Sequence, residues 1–260
     1  MPTVTTNDGA QIAYRSFGEG PRTVILVHGW KVSGAVYDDM LSALDLAGLR
    51  VLVPDLRGAG GSSKPKEGYG IQRFAEDILA IADAERLGSF VVVGHSMGGQ
   101  IAQWLAAHHP DRIAGAVLLC PVPASGLPLP DEMVAVFRAA AQSHEAQRGI
   151  ITNVSRELSP AAIDKLVADA ASTSPDAILL GFEAWRAGGF AGALSQVRAP
   201  TLVVGTDDPA VPVDLLRAEI VSKIAGARLA VLPGPGHYVH VERPRETAAL
   251  LNAFLCALRP

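Results

Sequence analysis

The sequence predicts an α/β fold: a mostly parallel central sheet with helices on both faces, and a helical cap inserted between two strands. Three observations predict it. Short runs such as Thr23–Val27 and Phe90–Val93 are apolar and mostly β-branched without polar alternation, which marks strands buried on both faces. These runs alternate with stretches of helical spacing, and that alternation builds a parallel sheet covered on both sides. The rhythm then fails between Pro121 and about Gln196, where only helix-like segments occur. The expected organisation is one core, residues 1–121 and 197–260, with residues 122–196 as the inserted cap.

Taken in order, Val4–Thr6 and Ile12–Arg15 flank Asn7-Asp8-Gly9, a hairpin signal. Thr23–Val27 is a central strand that runs into His28-Gly29-Trp30. A helix is expected over Val36–Leu46, with Gly48 near its stop. Val51–Val53 is the next buried strand, followed by the Gly-rich turn region Pro54–Ser63. Ile71–Leu87 carries Phe74, Ile78, Ile81 and Ala82 at helical spacing, and Gly88 closes it. Strand Phe90–Val93, helix Gln100–Ala107 and strand Ile113–Cys120 follow. Cap helices are expected over Asp131–Gln147, Ser159–Ala171 and Pro175–Ala187, the last two opened by a capping Ser before a first-turn Pro. Strand Thr201–Val204, helix Asp214–Ile224, strand Arg228–Leu232 and helix Arg245–Leu258 complete the core.

Composition narrows the function classes. No apolar run approaches the length of a membrane helix, and the first eight residues have neither a basic region nor an apolar core, so neither a span nor a secretory signal is expected. The formal net charge is −4 and Lys and Arg are scattered, which argues against nucleic acid or a membrane as partner. Cys120 and Cys256 lie far apart without metal spacing and are expected to be buried free thiols of a cytoplasmic protein. No metal-ligand spacing occurs, and no cofactor is expected. Asp55–Ser62 is Gly-rich after a strand but lacks a Gly-Lys-Ser/Thr ending, so it reads as a tight turn rather than a phosphate loop.

Chemistry is expected where strands end, since ligand sites of open α/β sheets lie outside the carboxyl ends of the strands. Gly94-His95-Ser96-Met97-Gly98 stands between a strand and a helix, the context of a nucleophile elbow. A Ser hydroxyl needs a His to remove its proton, and the His needs a carboxylate to fix its tautomer. The order expected for an elbow is Ser, acid, His. Asp207 and Asp208 follow the strand Thr201–Val204, Asp208 being preferred, and His237 follows Arg228–Leu232. His28 precedes the Ser and would break that order. His95 is read as structural, and His108, His109 and His144 as solvated.

These motifs give the chain a resemblance to the α/β-hydrolase fold superfamily, in its serine esterase, lactonase and haloperoxidase-like branch, over essentially its whole length. The resemblance rests on His28-Gly29, Asp55-x-Arg57-Gly58-x-Gly60-x-Ser62, Gly94-His95-Ser96-Met97-Gly98-Gly99, Gly205-x-x-Asp208-x-x-x-Pro212, and Gly236-His237 followed by Glu242 and Pro244. It implies Ser96 as nucleophile, Asp208 as acid, His237 as base, and an oxyanion hole from the N–H groups of Trp30 and Met97. It also exposes a departure. Relatives that make peracids usually carry Pro at the second position after His-Gly, and here that residue is Lys31. Ser at the elbow disfavours a haloalkane dehalogenase.

The expected activity is hydrolysis of a small to medium, uncharged carboxylic ester or lactone through an acyl-enzyme. The expected pocket draws on Val122, Phe137, Phe182, Trp185 and Val211 beside Trp30 and Met97. An amidase, a C–C bond hydrolase, a cofactor-free perhydrolase or a receptor-like ligand binder would use the same framework. Neither the substrate nor the oligomeric state is written in these motifs.

Overall fold

The buried aliphatic runs form the middle of an eight-stranded sheet in the computed structural model, which describes residues 1–258. In chain order the strands are β1 (Thr3–Thr5), β2 (Gln11–Phe17), β3 (Arg22–Val27), β4 (Leu49–Pro54), β5 (Phe90–His95), β6 (Ile113–Leu119), β7 (Thr201–Gly205) and β8 (Arg228–Val231). Their spatial order is β1-β2-β4-β3-β5-β6-β7-β8. The hairpin strands β1 and β2 are antiparallel, β2 runs antiparallel to β4, and every later pair is parallel. Every position of β5 is buried, as its unbroken apolar run predicts.

Three helices precede the cap segment: α1 (Asp38–Leu41), α2 (Ile71–Ala84) and α3 (Met97–His108). Four more, α4 (Asp131–Ala139), α5 (His144–Val154), α6 (Pro160–Ala170) and α7 (Pro175–Ala187), fall between β6 and β7. The last three are α8 (Val213–Glu219), α9 (Val239–Glu242) and α10 (Pro244–Ala257). Helix α2 buries Phe74, Ile78, Ile81 and Ala82, the stripe its spacing marks out. Ser159 and Ser174 cap α6 and α7 by accepting from the N–H groups of Ala162 and Ala177.

The structure breaks three of the helices expected from spacing. Over Val36–Leu46 it forms only a 3₁₀ turn (Gly34–Tyr37) and α1, and the chain then tightens through bonds from Ala43 N to Met40 O and Leu44 N to Leu41 O. The stretch Asp131–Gln147 is two helices. Ser143 caps the second by accepting from Ala146 N, and Gln147 Nε2 pins the break by donating to Ala140 O at 2.8 Å. Likewise α8 ends at Glu219 and gives way to a 3₁₀ turn over Val221–Lys223. Both cysteines are free, but Cys256 is exposed rather than buried, because it lies off the inward stripe of α10. Among the described residues, no helix is long and apolar enough to cross a membrane.

A buried arginine ties the loop after β4 to α2 and to the hairpin. Arg57, in the loop after β4, is 1% exposed and grips Asp77 of α2 with Nε and Nη2, each at 2.7 Å. Its Nη1 reaches Asp8 of the hairpin turn at 2.8 Å. Burial pushes the Asp77 carboxyl up, and the guanidinium opposes that push. Breaking a buried pair by removing one partner leaves the other charge uncompensated. Arg57→Met is therefore expected to cost about 3–5 kcal/mol, read as a lowered urea midpoint. A loss under about 1 kcal/mol would show the pair to be dispensable.

The parallel register brings the strand ends to one level: His95 lies beside Leu119, Leu119 beside Val204, and Gly205 beside Val231. The loops that leave β3, β5, β7 and β8 therefore open at the same edge of the sheet.

Candidate active site

Strand β5 runs directly into Ser96, and α3 begins at the next residue. Ser96 has φ 54° and ψ −117°, a conformation that side-chain-bearing residues rarely adopt. Surrounding backbone holds it there: Ser96 N donates to Leu119 O at 3.0 Å, and its carbonyl accepts from the N–H groups of Gly99, Gln100 and Val122. The two flanking glycines are obligatory on steric grounds. A Cβ on Gly94 would lie 2.1 Å from the carbonyl oxygen of Gly98, and one on Gly98 would lie 2.2 Å from that of Val27.

His237, on the loop after β8, directs Nδ1 at Asp208 Oδ2 across 2.5 Å. The Asp208 side chain is fully buried, and its second oxygen accepts from Ala210 N at 2.8 Å. Asp207 faces away and accepts from Gly234 N at 2.9 Å, bracing the same loop from outside. The backbone of His237 is fixed at both ends: its N–H donates to Val154 O, and its carbonyl accepts from His95 Nε2, each at 2.9 Å. Ser96 and His237 line one cavity.

Several residues shape this site through contacts that the sequence does not announce. Glu242 accepts from Gly236 N at 2.8 Å and Tyr238 N at 3.1 Å, bracketing His237, and also from Arg156 N and Glu157 N after α5. Gln100 and Gln103 of α3 bond the carbonyls of Pro123 and Val122, each at 2.8 Å, and so fix the chain leaving β6. His28 is committed to structure, since Nε2 accepts from Leu56 N and Nδ1 donates to Gly29 O, each at 2.8 Å. Burial pulls His28 and His95 below the usual histidine range, and His240, its ring tilted against that of His95 at 4.3 Å, down to about 3. All three are neutral supports at pH 7.

Trp30 follows β3, the neighbour of β5, and Met97 opens α3. Neither main-chain N–H is donated to another group among the described residues, so both remain available to an oxyanion. The indole of Trp30 donates to Ile178 O of α7 at 2.7 Å. The cavity holds about 470 Å³ and includes Val122, Phe137, Trp185 and Val211 in its lining. Phe182, expected there, lies behind it. Its ring is fully buried, stacked 5.2 Å from Phe137 and edge-on 5.1 Å from Trp185. The lining also includes Lys31, a cation contributed by the core rather than the cap. Among the described residues no group of His, Cys, Asp or Glu could hold a metal ion.

Residues 22–244 match the model of the alpha/beta hydrolase fold family. The chain is an α/β-hydrolase. It is 32% identical to a non-heme haloperoxidase of Rhodococcus erythropolis, over 91% of this chain and 93% of that one. It is 28% identical to a bifunctional esterase/perhydrolase of Acinetobacter calcoaceticus, over 99% of both. Among solved structures, an N-acyl homoserine lactone degrading enzyme superposes with a TM-score of 0.86 at 31% identity, covering 97% of this α/β-hydrolase and 100% of that chain.

Proposed function

We propose that this α/β-hydrolase cleaves a small to medium carboxylic ester or lactone through an acyl-enzyme, with Ser96, His237 and Asp208 as its triad. The observation that carries the reading is the ring of His237, bonded to a buried Asp208 and lining the same cavity as Ser96. Because Nδ1 is bonded to the carboxylate, Nε2 is the free base. It takes the proton of Ser96 Oγ as that oxygen attacks the substrate carbonyl. The resulting oxyanion is received by the N–H groups of Trp30 and Met97, each donor contributing on the order of 10²–10³ in turnover. His237 then gives its proton to the leaving oxygen, and it activates water for deacylation in the same way. The largely apolar wall and a volume of about 470 Å³ support a compact, mostly apolar substrate. The esterase and lactone-degrading relatives support the same bond types. The two free thiols accord with a cytoplasmic location.

The names of the haloperoxidase and perhydrolase relatives favour one second reading. Hydrogen peroxide in place of water at deacylation would release a peracid from the same acyl-enzyme. Fluorophosphonate labelling, followed by an ester, lactone and amide panel with and without peroxide, tests both. A single adduct on Ser96 and turnover of esters or lactones above amides is expected. Peracid outpacing acid in peroxide would favour the second reading. No adduct and no turnover would leave a ligand-binding protein.

A further inference from the structure

Lys31 is the only Lys or Arg among the described residues lining the main cavity. It follows Trp30 and adopts φ 56°, a conformation more natural to Gly or Asn. The residue is 3% exposed, yet its ammonium makes just one long hydrogen bond, 3.4 Å to the hydroxyl of Tyr238. The rings of Trp30 and Tyr238 lie 5.7 and 6.0 Å from Nζ and cover the cation without neutralising it. The carboxylate that acts on it, Asp169 of α6, is engaged elsewhere: its oxygens accept from Ser33 N at 2.7 Å and Ser33 Oγ at 2.6 Å. The histidines in the wall are held elsewhere: Nε2 of His95 meets the carbonyl of His237, and Nδ1 of His237 meets Asp208. A buried ammonium with no carboxylate in contact is costly unless something completes it. Burial draws Lys31 down to about 7, against a smaller opposing pull from Asp169, which makes no ion-pair contact with it.

We infer that Lys31 binds a carboxylate carried by the substrate, so that the preferred ester or lactone has one acidic group on an otherwise apolar frame. The inference rests on the hydrolase reading above and narrows it: the uncharged substrate expected from a cap with few charges gives way to a singly anionic one. The partner that Lys31 lacks within the protein is supplied by the ligand, in the same chamber as Ser96.

The test uses two matched ester pairs at pH 6.5. One pair carries the acid on the acyl side (4-nitrophenyl hydrogen glutarate against 4-nitrophenyl pentanoate). The other carries it on the alcohol side (4-carboxyphenyl butyrate against 4-methylphenyl butyrate). In at least one pair, the wild-type protein is expected to favour the acid by about tenfold or more in kcat/KM, the size of one charge-assisted hydrogen bond. Lys31→Met should remove that preference and Lys31→Arg should keep part of it. Absence of any preference in the wild type, or its survival in Lys31→Met, overturns the inference. Loss of all turnover together with loss of fluorophosphonate labelling would overturn the hydrolase reading instead. Calorimetric titration of the wild type with monomethyl glutarate against methyl pentanoate then decides on Lys31: tighter binding of the acid supports it, and equal binding overturns it.

Discussion

Ser96→Ala is expected to lower kcat/KM for a short-chain aryl ester by about 10⁴–10⁶-fold and to abolish fluorophosphonate labelling. The change removes one oxygen and nothing else that the fold uses. The strained backbone at φ 54° is held by main-chain bonds to Leu119, Gly99, Gln100 and Val122, all of which Ala retains. Thermal midpoints of the two proteins should therefore agree within a few degrees, which separates lost chemistry from lost structure. The residual rate should reflect the N–H groups of Trp30 and Met97 together with cavity binding. Turnover within tenfold of wild type, on a labelled-free protein, would remove Ser96 from the mechanism.

The elbow was legible in the sequence because its motif and the elements either side of it are local, although backbone from Leu119, Val122 and Val27 helps to enforce it. Four apolar residues before it, two glycines that exclude a Cβ, and a helix after it all lie within about one strand and one helix. The strand ends were legible too, as short apolar runs, so His237 and the two aspartates could be placed just beyond β8 and β7 and picked out by the order Ser, acid, His. Legibility ends where a contact spans the chain. The break between α4 and α5 depends on Gln147 folding back to Ala140 O, a bond that helical spacing does not announce. Glu242 gathers N–H groups from Arg156 and Glu157, more than 80 positions away, so only the closed fold reveals what it holds. Phe137 and Phe182 are alike as residues, and the packing of α4 against α7 decides that one meets the cavity and the other lies behind it. Lys31 was visible as a departure from relatives, but its burial beside Tyr238 required the coordinates of a loop more than 200 residues further on.

The second large effect separates two adjacent carboxylates. Asp208→Asn is expected to reduce kcat by about 10⁴-fold, the cost of presenting the wrong histidine tautomer. The hydrogen bonds dictate which way the amide turns. Ala210 N donates to Oδ1 of Asp208, so an Asn there places its carbonyl oxygen toward Ala210 and its NH₂ toward His237. An NH₂ facing Nδ1 makes that nitrogen an acceptor and moves the ring proton to Nε2, where it blocks removal of the Ser96 proton. Asp207→Asn has a different geometry. Its oxygen accepts from Gly234 N on the outer side of the loop, and an amide oxygen can accept that bond equally well. Its kcat should stay within about threefold of wild type, since a neutral acceptor replaces a charged one at an exposed site. Measuring kcat for both variants on one aryl ester, with circular dichroism to confirm folding, checks the pair. Equal losses at the two positions would show that the acid acts through the general charge of the loop. A loss confined to Asp208 requires the directed bond at 2.5 Å.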